Sequence, residues 1–358
     1  MYLCGMIKIG EKEYRKIKAL NQSMIKLFGT DPVKFFEQFK LGKLPKEKKS
    51  VSLLLGDLVD FYLLECKGNE EEFERRLDER FSIFDGKKTG AQVYVLVDKL
   101  FEITLDDMED GEIKTSFEQR FTKACKEIKE TGRYSGKNED FILKDFNENG
   151  YTYFKTLIDN LGKIVIDEYL IGKARKISFN ILNDPFTKDL FEKDILRKVP
   201  IEWKYTCKSG KVMLCKSEID FMYVDEAKKQ IHLYDLKTTY DNEAFILGYL
   251  KNGYYIQGAF YYYAVKYWAQ EKFKDFEVLP MQFVVADTSS NNRRPIIYRT
   301  SQEDLEKGLE GFQLCDQEYK GVKSLIEDIC WAEDFNRWNV SREVFENKGI
   351  LNLGLKYV

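Results

Sequence analysis

Two short segments of this chain place carboxylates and an amine where a pair of β-strands would gather them. In Lys216-Ser217-Glu218-Ile219-Asp220-Phe221, strand alternation gives Ile219 and Phe221 to a core and leaves Glu218 and Asp220 on the other face. Ile231-His232-Leu233-Tyr234-Asp235-Leu236-Lys237 alternates in the same way and ends with Asp235 and Lys237 on a shared face. Paired as antiparallel neighbours, the two strands would bring Asp220 close to Asp235 and Lys237. Two carboxylates and an ammonium at a strand end suit Mg²⁺, which takes hard oxygen ligands and keeps several waters. A lysine beside a metal-bound water can orient that water and stabilise charge developing on a phosphorane. The helix that follows adds Tyr254, Gln257 and Tyr261 at i, i+3 and i+7, on one face. A glutamine amide and a phenol there could hold a phosphate or the lysine.

Other chemistries are poorly supplied. His232 is the single histidine, so a Ser-His-Asp triad or a multi-histidine metal site would have to be built around that one residue. It falls on the opposite strand face from Asp235 and reads as structural. The seven cysteines, Cys4, Cys66, Cys125, Cys207, Cys215, Cys315 and Cys330, include no C-x-x-C pair, which argues against a zinc or cluster site of that kind. Their odd number and the lack of a signal peptide point to a reducing compartment. Catalysis is left to carboxylates, Lys, Tyr or bound metal.

Taken in order, Asp220, then Asp235-Leu236-Lys237, then Gln257-x-x-x-Tyr261 resemble the PD-(D/E)xK nuclease superfamily. The branch they look most like is the RecB/RecE type, which includes phage recombination exonucleases. Leu55-Gly56-Asp57-Leu58-Val59-Asp60 resembles that branch too, where a helix following a glycine presents a histidine to the metal. The resemblance covers residues 20–65 and 195–335, with 70–195 read as an insertion. It implies Mg²⁺-dependent phosphodiester hydrolysis, with Mn²⁺ as a substitute. Asp220 and Asp235 would be metal ligands together with the Leu236 carbonyl, Lys237 would position the attacking water, and Gln257 and Tyr261 would support the scissile phosphate and the lysine. It further implies DNA as the partner, through double-stranded ends in recombination or repair. A homo-oligomer, a recombination partner protein and the cytoplasm of a bacterial or phage-infected cell all fit that setting.

Three departures stand out. Ile219 replaces the usual proline. Asp60 stands where the branch has histidine and is assigned as a further metal ligand. Glu218 replaces a basic or neutral residue and is a candidate additional ligand or a partner of Lys237. The four-cysteine iron–sulfur motif of some relatives is missing. The alternative reading is a catalytically weak or inactive nuclease-like module for DNA binding or assembly. The Asp60 and Glu218 departures suit it, whereas retention of Asp220, Asp235 and Lys237 argues against it.

The elements that must position these residues follow from pattern and turn chemistry. Residues 201–206, 211–224 and 230–237 alternate as a three-strand meander, 242–252 and 253–270 read as helices, and 278–286 and 295–299 as further strands. Ser301 with Asp304 signals a helix start. Residues 12–40 and 51–66 read as helical, as does most of 70–200, with turns at Asp85-Gly86, Asp110-Gly111 and Asn149-Gly150. The expected fold is therefore α/β: a restriction-endonuclease-like core, a mixed central sheet flanked by helices, with a largely helical N-terminal half. The expected domains are 1–195, lending helix 51–66 to the site, the core at 196–335, and a tail at 336–358.

The chain has 358 residues, 44% of them hydrophobic, enough for a substantial core. Its net charge of −3 excludes a globally basic nucleic-acid coat. The charge is uneven, however: residues 301–358 carry 7 Lys and Arg against 12 Asp and Glu, so an anionic ligand belongs on the body. A basic loop, Lys40, Lys43, Lys46, Lys48 and Lys49, precedes the Asp60 helix and could contact a DNA backbone. No run reaches the roughly 18 apolar residues of a membrane span.

Overall fold

Runs rich in β-branched and aromatic residues, separated by short turns, form the meander on which the site is built: β1 (Leu196–Thr206), β2 (Val212–Asp225) and β3 (Gln230–Thr239). The β1–β2 turn closes on Gly210 at φ +86°. In this computed structural model, residues 11–43, 50–84, 92–109, 111–289, 293–315 and 317–350 are described. The expected turn at Asp85-Gly86, Asp110, the loop lysines Lys46, Lys48 and Lys49, and the end of the tail lie outside them.

β1 and β2 are antiparallel, as are β2 and β3. β3 then runs parallel to β4 (Gln282–Asp287), which pairs antiparallel with β5 (Ile296–Arg299). The strand order β5-β4-β3-β2-β1 makes β3 the central strand of a mixed sheet. A strand covered on both sides cannot keep a polar face at low cost, and Leu233, Tyr234, Asp235 and Leu236 are all buried. Asp235 is thus a carboxylate in the middle of a core, which demands partners.

Helices cover this sheet. α1 (Gln22–Thr30) starts at Asn21, whose side chain accepts the Met24 N–H at 2.9 Å, and buries Ile25 and Phe28 in the sheet core. Just before it, Leu20 zips onto β2, bonding to Leu214 and Lys216 through the backbone. After β3 come α2 (Phe245–Lys251) and α3 (Tyr254–Lys272). α3 is buried nearly all round, and Phe260 alone, fully covered, contributes roughly 2–3 kcal/mol. It packs against α4 (Gln302–Glu310), where a Cβ on Gly308 would fall 2.4 Å from the Tyr255 carbonyl oxygen, so only glycine allows the approach. α4 begins with the expected capping box of Ser301 and Asp304. α5 (Val322–Phe335) adds Leu325, Ile326 and Ile329 to the same core.

The chain divides into two compact units, and the division does not fall at residue 195. The first gathers residues 11–43, 63–67 and 177–350 of the described chain, so the N-terminal helices belong with the sheet. Apolar periodicity shows that a helix has a buried face but not which layer covers it. The second unit holds residues 50–62 and 68–176 of the described chain. Its core is helical, with Leu96, Val97, Leu100, Phe121 and Phe146 at the centre. It also contains a parallel strand pair, Phe81–Phe84 with Ile164–Asp167, in a stretch expected to be mainly helical. Four-residue apolar runs are too short to show a period. In this unit the helix Val51–Asp60 buries Leu55, Leu58 and Val59, while Leu53 is exposed. No helix among the described residues is long and apolar enough to cross a membrane.

Candidate active site

The β2–β3 ladder runs from Asp225↔Gln230 to Phe221↔Tyr234 and stops there. The next positions in that register are Asp220 and Asp235. Directly opposed residues share a face, so both carboxylates lie on one side of the sheet where the two strands part. The backbone N–H of Leu236 donates to Oδ2 of Asp220 at 2.9 Å, a side-chain bond at the point where the ladder ends. Lys237 reaches back to Oδ2 of Asp235 and lies 3.5 Å from the Leu236 carbonyl oxygen. From α3, Nε2 of Gln257 donates to Oδ1 of Asp235 at 2.7 Å. Asp220, Asp235, Lys237, the Leu236 backbone and Gln257 therefore form one hydrogen-bonded cluster.

Tyr261 is buried one turn further along α3. Burial and the charges of Asp235 and Asp220 push its phenol well above the usual value, so it is protonated and a donor at any working pH. Glu218 is half-buried, and its charge, after burial, helps raise the phenol of Tyr14. His232 faces Tyr223 across the strands and lies beside Tyr234. Asp60 stands half-buried at the last turn of Val51–Asp60, in the second unit.

Two lysines enter the picture without having been anticipated. Lys198 on β1 donates to Oδ1 of Asp220 at 3.0 Å. Its signal was the register: a strand begun at Leu196, not at Ile201, sets Lys198 opposite Asp220. Lys26 on α1 rests 5.6 Å from the ring centre of Tyr254, and Lys237 lies 5.4 Å from the same ring. Gly253, at φ +63°, makes room, since a Cβ there would meet Lys26 at 2.8 Å. Lys26 sits within the apolar stripe of α1, where nothing in the sequence distinguishes it from a lysine at the water-facing edge.

Charge is balanced within the cluster. Burial pushes Asp235 up to about 6, with Lys237 opposing and Asp220 adding to the rise. Burial also penalises charge on Asp220, but Lys198, Lys237 and the Leu236 N–H outweigh it and hold Asp220 below the usual carboxylate value. Burial disfavours the Lys237 ammonium, yet Asp235 and Asp220 hold it above its ordinary value, so it is a proton donor and not a base. Lys26 is lowered to about 8 by burial and by Lys237, with Asp235 opposing.

No family model matches the chain, and no curated protein matches it. Among solved structures, the crystal structure of a "Putative exonuclease" from Eubacterium rectale is similar at 12% identity and a TM-score of 0.47, covering 98% of this chain and 96% of that one.

Proposed function

We propose that the chain is a metal-dependent deoxyribonuclease: an exonuclease that processes double-stranded DNA ends in recombination or repair, of the kind phages encode. The observation that carries this is the joining of Asp220 to Asp235 through the Leu236 N–H, with Lys237 and Gln257 on the second carboxylate.

The donor set fits Mg²⁺ or Mn²⁺. It is all oxygen: two largely buried carboxylates and the Leu236 carbonyl. Among the described residues no three His, Cys, Asp or Glu side chains stand together as a closed cage, and Mg²⁺ asks for only one or two carboxylates because it keeps waters. Asp220, Asp235 and the Leu236 carbonyl would hold the ion. The bound ion would supply Lewis acidity and an activated water.

The chain's own residues supply the rest. The Lys237 ammonium, fixed by Asp235 and the Tyr254 ring, orients water and meets negative charge developing on the phosphorane. Gln257 fixes the rotamer of Asp235. Tyr261 offers an O–H beneath the pair. Lys26 adds a second ammonium on the Tyr254 ring, suited to a backbone phosphate.

The test is incubation of end-labelled linear and closed circular duplex DNA with Mg²⁺. Digestion of the linear form alone, lost on chelation, is expected. Digestion of both forms would make it an endonuclease. DNA binding without digestion in Mg²⁺ or Mn²⁺ would favour the inactive module.

A further inference from the structure

We infer that Lys198 is a positioning residue that holds the place of a cation at Asp220 and must release that carboxylate when a divalent ion binds; the inference rests on the metal-dependent reading above. Lys198 and Asp220 are both largely shielded, their side chains 23% and 15% exposed, with Nζ 3.0 Å from Oδ1. An ammonium at that distance takes one lone pair of Oδ1 and sets a positive charge where a divalent ion would bind. Oδ2 of the same carboxylate already takes the Leu236 N–H. Two carboxylates and two ammoniums, Lys198 and Lys237, leave the metal-free cluster neutral, so an arriving divalent ion meets a site already counterbalanced.

The backbone singles out the same residue. β1 and β2 pair residue by residue from Leu196↔Met222 to Thr206↔Val212, except at Lys198 and Asp220. At that gap Lys198 takes φ +48°, the left-handed region that a side chain with a Cβ rarely adopts. The irregularity is confined to the residue facing the first carboxylate. A lysine, with a point charge on a flexible four-carbon stem, can leave by rotating that stem, where an arginine fork would stay bidentate.

The experiment measures direct Mn²⁺ binding at pH 8 by titration calorimetry and by electron paramagnetic resonance, with melting temperature recorded with and without Mn²⁺. The parent, Lys198→Met, Lys198→Gln, Lys198→Arg and Asp220→Asn are compared. Removing the competing ammonium is expected to tighten Mn²⁺ about tenfold in Lys198→Met and Lys198→Gln. It should also lower the metal-free melting temperature and enlarge the rise on adding Mn²⁺. Lys198→Arg should bind no more tightly than the parent. If Lys198→Met does not fold without metal, Lys198→Gln, which keeps a donor, carries the comparison. Equal or weaker Mn²⁺ affinity in the neutral variants, with Asp220-dependent binding in the parent, would overturn this inference alone. A parent that binds no Mn²⁺ through Asp220 would overturn the metal reading and this inference with it.

Discussion

The amide of Gln257 donates to Asp235 at 2.7 Å, so a polar bond ties the central strand to the buried helix α3. Asp235 is 1% exposed and Gln257 4%, so both partners of this bond are buried. Gln257→Leu would leave one carboxylate oxygen without that donor. It should cost about 1–3 kcal/mol of stability, read by urea unfolding, and reduce any nuclease rate through misplacement of Asp235. Unchanged stability would mean that the oxygen finds another donor.

Asp235→Asn and Lys237→Ala should each lower DNA digestion by about 100-fold or more, with far-ultraviolet circular dichroism unchanged. Digestion at the parental rate by either variant would remove these residues from the chemistry.

Protonation of Asp235 gives the metal-free protein an unusual pH dependence. Its carboxyl is raised from 3.8 to about 6, so between those values the folded state keeps a proton that the unfolded chain has lost. Stability should therefore fall as pH rises through that window, by at most about 1.4 kcal/mol per pH unit, and level off above it. Asp220, held low, has the opposite sign: its contribution is present above the ordinary value of 3.8 and is lost as pH falls below it. Asp235→Asn should flatten the upper window only. Parallel stability curves for parent and variant, measured by chemical unfolding in chelator, would contradict the assignment.

On the proposed function, with the DNA contact expected on the body and not on the acidic C-terminal region, DNA affinity should fall as salt rises from low to physiological. Lys26→Ala should reduce the slope of log affinity against log salt by about 1. A flat salt dependence, or an unchanged slope in the variant, would remove Lys26 from the DNA contact.

Much of the candidate cluster was legible in the sequence because it depends on two short periods. Strand alternation sets Asp235 and Lys237 on one face, and helical spacing sets Gln257 and Tyr261 on another; both rules act over a few residues. Lys198 was not legible because its place depends on where β1 begins, and strand ends carry little pattern. Lys26 was not legible because it comes from a helix far away in sequence that happens to cover the start of α3. The Gln257 bond illustrates the same boundary. Its face could be read, but its choice of Asp235 as acceptor depends on the depth at which α3 lies on the sheet. The parallel pair Phe81–Phe84 and Ile164–Asp167 was invisible for a different reason, since each partner is meaningless without the other.

The attachment of the N-terminal segment to β2 has a consequence for biosynthesis. The Lys216 ammonium caps the carbonyls of Tyr14 and Ile17, the latter across 199 residues of chain, and Leu20 bonds to the same strand. A ribosome adding about 5–20 residues per second delivers β2 roughly 10–40 s after that segment has been made. During this interval Ile25, Phe28 and Phe35, all destined for the sheet core, have no sheet to cover them. The second unit, encoded between the two, can fold first. Until β2 is made, the nascent chain carries an apolar helix without its sheet, which makes α1 the natural place for a chaperone to hold and for a truncated product to aggregate.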